Sequence, residues 1–215
     1  MQQKFLPLFP LEVVLLPEEP FPLHIFERRY RTMISECLAA KEAGNGQEEF
    51  GVVRLKEQAV NAVGCTARIV NVTRKYDDGR MDILTVGRRR FEILLTNDER
   101  PYLQGAVEYF DDEGPDTPSD EVAKAAIERF GQALRKLHHA AEMPVHLPRP
   151  YRHLSFRLAA ALPLELDFKQ QLLGIREEPG RLALVLKAVE MLLEQLGRVE
   201  DSRKRAGGNG HGLPG

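Results

Sequence analysis

Cysteine is scarce in this chain: Cys37 and Cys65 are the two among 215 residues. One falls on an expected helix and the other on an expected strand, with no metal-ligand spacing between them. Two buried free thiols in a reducing compartment fit that pattern better than a disulfide. Long apolar runs are missing as well, and none approaches the ~20 residues needed to span a bilayer. Residues 1–25 contain no basic stretch followed by an unbroken apolar run, so a signal peptide is not expected. Nor does one sign of charge prevail, since 30 Lys and Arg face 32 Asp and Glu, a formal net charge of −2. That balance exerts no global pull toward nucleic acid or anionic membrane. A soluble, cytoplasmic protein is expected.

Catalytic signatures are equally thin. None of the lysines is followed by Ser or Thr, so no phosphate-binding Walker loop can be written. The four serines are Ser35, Ser119, Ser155 and Ser202, and none sits in a glycine-rich nucleophile turn. His138, His139, His146 and His153, with Glu142 one turn after His138, show none of the tight spacings that mark metal sites. Neighbouring histidines on a helix point about 100° apart. Surface or packing roles are favoured for them and for His24, and neither metal nor cofactor is expected.

What is present is organised around the first forty residues. Leu6, Leu8, Leu11, Val13 and Leu15 are β-compatible but interrupted by Pro7, Pro10 and Pro17, which suit strand starts, edges or bulges. Pro20 and Pro22 hold Phe21 extended in a proline-rich corner. A helix follows, with Phe26, Tyr30, Met33, Ile34, Cys37 and Leu38 on its apolar face. Past the polar loop 41–49, strands are expected at Phe50–Leu55 and Val63–Tyr76. An Asp78-Gly79 hairpin leads back through Met81–Val86, then a bend at Gly87, a further strand through Phe91, Ile93 and Leu95, and a last one at Tyr102–Phe110.

The character changes at Asp111, where DDEGPDTPSD reads as a linker. Ser119 caps the next helix, whose stripe runs through Val122, Ala126, Phe130, Ala133, Leu134, Leu137 and Ala141. A second helix carries Leu154, Leu158, Ala161 and Leu162. A third is entered through an Asp167/Gln170 capping box and ends at Gly174. A fourth starts near Pro179, with an apolar stripe from Leu182 to Leu196 expected to pack within its own chain. A β-rich half followed by a helical half argues for α+β segregation and against an alternating βαβ fold. The expected division is 1–110, a linker at 111–120, a helical part at 121–197 and a disordered tail at 198–215.

The opening LPLFPLEVVLLPEEPFPLHIFERRYRTMI, with Val63-Gly64-Cys65-Thr66-Ala67, the Asp78-Gly79 hairpin, Val86-Gly87-x-x-Arg90-x-x-Ile93 and SFRLAAALPLELDFKQQLLGI, resembles the N-terminal, substrate-binding domain of ATP-dependent Lon proteases. The likeness spans about Lys4 to Gly197. It implies a PUA-like β-barrel subdomain with one helix, followed by a four-helix subdomain. In the family an ATPase module and a serine–lysine protease module follow; here the chain ends, and a stand-alone, non-catalytic member is expected. The resemblance implies a protein- or peptide-recognition module in quality control or proteolysis. Its expected partners are unfolded or degradation-bound polypeptides, with a protease or chaperone as a further candidate.

Two surfaces compete for the site. Pro20, Phe21, Pro22 and Leu23 form a rigid apolar corner suited to peptide contact. Short exposed strands nearby could also take an added peptide strand. The alternative is a basic patch of Arg88, Arg90, Arg74 and Lys75, which would suit RNA, since PUA-like folds elsewhere bind it. Few stacking aromatics lie near and Asp77, Asp78, Asp82 and Glu92 dilute the charge, so a solvated, salt-bridged face is favoured there. Strand alternation places Arg89 beside Phe91 and Ile93 unless Gly87 marks a bulge.

Overall fold

The computed structural model describes residues 5–44, 48–138, 147 and 149–208. His139, Ala141, Glu142, His146 and the stretch 209–215 lie outside them. In chain order the elements are β1 (Leu6–Leu11), β2 (Pro20–Ile25), α1 (Arg28–Glu42), β3 (Glu49–Lys56), β4 (Ala59–Lys75), β5 (Met81–Asn97), β6 (Gln104–Phe110), α2 (Asp120–Leu137), α3 (Leu154–Ala160), α4 (Leu166–Gly174) and α5 (Glu178–Gly208). They divide into two compact units, Met1–Glu113 with Ala159–Arg176, and Gly114–Leu158 with Glu177–Gly215.

The first unit is built on one sheet in the order β2-β5-β4-β3-β1-β6, with β5 also paired to β6. That extra pairing closes β1, β3, β4, β5 and β6 into a small barrel. Only β1 and β3 run parallel among these pairs. β5 serves twice: its second half completes the barrel against β6, while Met81–Val86 pairs with β2. The first half of β5 therefore lies in an open three-stranded ribbon, β2–β5–β4, that projects from the barrel wall.

Side chains fill the barrel. Leu6, Leu8, Val53 and Phe91 are buried together, with Val60, Ile93, Leu103 and Val107 packed against them. The Phe91 ring occupies space that only glycine leaves open. A Cβ on Gly51 or Gly64 would sit 2.6 Å from its Cζ, well inside van der Waals contact.

Several elements differ from expectation, each for a local reason. The proline-rich corner at 20–23 is itself a strand, which prolines permit at a sheet edge because the missing donor faces away from the ladder. The expected break at Gly87 is instead a bulge within one continuous β5. Cys65 pairs with Arg90 and Ala67 with Gly87, leaving Arg88 and Arg89 opposite Thr66, whose Oγ1 accepts from the Arg89 amide at 3.0 Å. The bulge turns Arg89 outward, away from Phe91. The polar interval after Leu55 is a tight hairpin, with positive φ at Glu57 and Gln58 (50° and 68°). Phe26 precedes α1 and is 60% exposed, so it is not part of that helix's apolar face.

α1 covers one side of the sheet through Tyr30, Met33, Ile34, Cys37 and Ala40, all buried. Tyr30 lies 4.0 Å from the Phe9 ring, and Lys41 Nζ donates to the Ile69 carbonyl at 2.8 Å. α4 also belongs with the barrel. The residues read as its capping box are spent elsewhere: Asp167 accepts from Arg54 and Lys56 at 2.6 and 2.9 Å, and Gln170 donates to the Val63 carbonyl. Glu165 is the N-cap, without a side-chain bond. The Arg90 guanidinium ties down the far end of α4 by donating to the Leu173 and Ile175 carbonyls and to Asp112. These bonds draw 159–176 into the first unit, where a division at 121 had placed it with the other helices.

The second unit packs α2 against α5. Ser119 caps α2 as expected, its Oγ accepting from the Val122 amide. Ala123, Ala126, Phe130 and Ala133 meet the buried face of α5, which includes Leu182, Val185, Ala188 and Val189. Glu178 and Arg181 are fully buried together, and Glu178 also accepts from the amide and hydroxyl of Ser155. α5 runs to Gly208, so residues 198–208 are helical where a disordered tail was expected.

Candidate functional site

The ribbon β2–β5–β4 has two faces, and pairing register assigns its side chains between them. Directly opposed residues share a face. One set comprises Phe21, Leu23 and Ile25 with their β5 partners Thr85, Ile83 and Met81, backed on β4 by Ile69, Val72 and Lys75. Its β5 members are buried, and the Thr85 hydroxyl donates to the Phe21 carbonyl at 2.7 Å. Phe21 and Leu23 are half-buried on this side.

The other face is open. Its three rows are Pro20–Val86–Arg68, Pro22–Leu84–Asn71 and His24–Asp82–Arg74. Pro20, Pro22 and His24 are exposed, and Val86 and Leu84 are half-exposed. Val70, at the register shift between Ile69 and Asn71, is 48% exposed. Proline rings and β-sheet aliphatics have few rotamers to lose, so this is a rigid apolar surface.

Its hairpin end is polar and aromatic. His24 Nδ1 meets Asp82 Oδ1 at 2.5 Å, and the Tyr76 hydroxyl donates to Asp82 Oδ2 at 2.9 Å. These hydrogen bonds, from His24 first and then Tyr76, hold the Asp82 carboxyl below the ordinary carboxylate range. The same bond raises the Tyr76 phenol. Phe26 stacks on His24 at 6.0 Å, His24 meets Tyr76 edge-on, and Arg74 and Arg80 lie 4.6 and 5.0 Å from the Tyr76 ring centre.

The two surfaces competing in the sequence are thus partly merged and partly dissolved. Pro20, Pro22 and Arg74 share the open face. Phe21, Leu23 and Lys75 belong to the opposite one. Arg88 is exposed at the bulge, whereas Arg90 is 4% exposed and committed to Asp112 and the end of α4. Leu84 and Val86 escaped sequence reasoning, because only register places them beside the prolines, and Asp82 was read only as an acid diluting the basic patch.

Strand addition meets obstacles at both ribbon edges. On β2, Pro20 and Pro22 offer no N–H to an incoming chain. The β4 edge carries register shifts at Ile69/Asn71 and Val72/Arg74 together with exposed Arg74 and Lys75, features that blunt edge pairing. Elsewhere, an open groove of about 510 Å³ runs along α1, lined by Arg28, Arg31, Thr32, Ser35, Glu36, Ala39 and Gly79.

A closed barrel extended by an open ribbon, with helices following, is an α+β fold, and comparison with known proteins defines it further. Residues 5–190 match the family model described as the ATP-dependent protease La (LON) substrate-binding domain. The chain belongs to that family. It is similar to Lon protease 1 of Hydrogenovibrio crunogenus, 30% identical over 149 residues, covering 66% of this chain and 18% of that protein. It is also similar to Lon protease of Anaeromyxobacter dehalogenans, 27% identical over 206 residues, covering 89% of this chain and 24% of that protein. The chain therefore spans about a fifth to a quarter of the length of these curated relatives. Among solved structures, a Lon N-terminal domain protein from Xanthomonas campestris superposes with a TM-score of 0.62 at 25% identity, covering 86% of this chain and 98% of that one. The N-terminal domain of a Mycobacterium avium complex Lon protease does so with 0.64 at 19% identity, covering 87% and 98%. The PUA-like barrel expected from the sequence is the fold these neighbours share. Among the described residues no helix is long and apolar enough to cross a membrane.

Proposed function

We propose that this chain recognises unfolded or degradation-bound polypeptide, serving protein quality control in the cytoplasm as a non-catalytic substrate-binding or adaptor module alongside a protease or chaperone. The observation that carries the reading is the open face of Pro20, Pro22, Leu84 and Val86. Such a face gains from apolar contact while losing little side-chain entropy. The family's description as a substrate-binding domain of a protease points to polypeptide as the ligand. With both edges blunted, contact is through side chains on the face rather than through a shared strand ladder.

RNA is the less favoured occupant. Sheet surfaces that bind RNA stack bases on open aromatic rings. Here the Tyr76 ring is attended by two guanidiniums and an imidazole, and Phe26 is stacked on His24.

Fluorescence anisotropy with a reduced, carboxymethylated protein that cannot refold tests the reading. Wild-type protein should bind it, and Leu84→Asp, which places a charge in the centre of the face, should weaken binding by about tenfold or more. Lack of binding by the wild type, or equal binding by Leu84→Asp, refutes it. The same preparation should neither hydrolyse ATP nor cleave casein, and turnover that tracks the protein through purification would remove the non-catalytic assignment.

A further inference from the structure

The open face carries charge in a pattern that its apolar rows do not explain. Arg68 ends the Pro20–Val86 row and Arg74 ends the His24–Asp82 row, with the apolar Pro22–Leu84 row between them. Arg88 is exposed two residues beyond Val86. Among the described residues none of Arg68, Arg74 and Arg88 forms an ion pair. The acids of the ribbon are already engaged: Asp82 by His24 and Tyr76, Asp78 by Arg80 at 2.7 Å. Glu19, beside Pro20, is held by the Leu16 amide and by Lys169. Glu18 and Asp77 lie beyond the ends of the rows. The surface left for a ligand is apolar in the middle and cationic along its β4 side.

We propose that this face selects polypeptide segments in which an apolar side chain is flanked by carboxylates two residues before and two residues after it. The spacing follows from register. The β5 partners of Arg68 and Arg74 are Val86 and Asp82, four residues or about 13 Å apart along a strand. An extended segment lying parallel to β5 projects alternate side chains toward the face, so positions two apart advance one row each. The central apolar side chain then rests on Leu84 and Pro22, and the outer two meet the arginines. Guanidinium–carboxylate pairs have the planar, bidentate geometry that makes them selective. This deepens the polypeptide reading and depends on it.

Anisotropy with short labelled peptides tests it, comparing a Glu-Ser-Leu-Ser-Glu core with Lys-Ser-Leu-Ser-Lys in otherwise identical polar sequences. A labelled oligonucleotide of similar length serves as a third probe. The acidic peptide should bind about tenfold or more tighter than the basic one, and its affinity should fall as salt is raised. Arg74→Glu, at an exposed position, should abolish the preference, and adding Arg68→Glu should invert it. The wild-type comparison alone decides the matter should either variant fail to fold. If the carboxymethylated protein binds but the two peptides bind equally, or the basic one better, charge selection is wrong while the polypeptide reading stands. If neither peptide nor unfolded protein binds, both fall. Tighter binding of the oligonucleotide than of the acidic peptide, lost in Arg74→Glu, would reassign these arginines to nucleic acid and overturn the proposal.

Discussion

Arg90 is a demanding position to perturb, because one guanidinium serves three acceptors on two later segments. Its side chain is 4% exposed and that of Asp112 2%. Besides Asp112 it donates to the Leu173 and Ile175 carbonyls, and the Phe110 ring lies 4.7 Å below it. Arg90→Met keeps the aliphatic bulk but removes the guanidinium from a buried carboxylate and from two carbonyls. Removing one partner of a buried pair costs roughly 3–5 kcal/mol, a large part of the ~5–15 kcal/mol by which domains are stable. Asp112→Asn retains an acceptor at that place and should cost less. Urea unfolding followed by far-ultraviolet circular dichroism suits a chain without tryptophan, and hydrogen exchange supplies the local readout. In Arg90→Met the amides at the end of α4, around Leu172–Ile175, should lose protection before those of the barrel strands. A loss under about 1 kcal/mol, with protection of α4 unchanged, would refute the idea that this pair fastens the helix to the barrel.

Three further outcomes are expected. At Gly87 a Cβ would lie 2.0 Å from the Leu16 carbonyl oxygen, so Gly87→Ala must displace the 16–19 segment, which is tied to it by the Glu18–Gly87 and Gly87–Glu19 backbone bonds; it should cost about 1–3 kcal/mol in urea unfolding, and a neutral effect would mean the 16–19 segment is free to move. Leu182 is 2% exposed, and Leu182→Ala should cost roughly 2–5 kcal/mol, whereas Leu186, half-buried on the same helix, should lose less; equal losses in chemical denaturation would contradict the packing of α5. The Asp82 carboxyl, held low by His24 and Tyr76, contributes stability that is present above its unfolded pKa and lost as pH falls through the lower folded value; in Tyr76→Phe its NMR-detected titration should move upward, and an unmoved midpoint would remove the hydrogen bond as a cause.

Much of the helical architecture was legible because its signals are local. Ser119 caps α2, Gly174 ends α4 and Pro179 lies in the first turn of α5, each readable from a few neighbouring residues. The Asp78-Gly79 turn was readable for the same reason. β2 was not, since Pro-Phe-Pro reads as a corner until a partner strand occupies its one usable side. Asp167 and Gln170 look like a capping box three residues apart, and only the fold shows Arg54, Lys56 and Val63 claiming them. The open face was hidden most thoroughly. Pro22, Leu84 and Asn71 share a row through two register choices, and the shifts in β4 defeat simple alternation.

That dependence on distant partners has a consequence for synthesis. Pro20 must wait for Val86 and Ile25 for Met81, and the barrel behind them cannot close until β6 has emerged. α4, which is bonded to the barrel wall, comes later still. On the ribosome the prolines therefore appear early with nothing to pair against, while Leu6, Leu8 and Leu15–Leu16, all destined for burial, stay uncovered. Non-local pairing of this kind folds slowly and leaves apolar strands exposed in the interval. For that interval the module is itself an unfolded chain, the kind of ligand proposed for it.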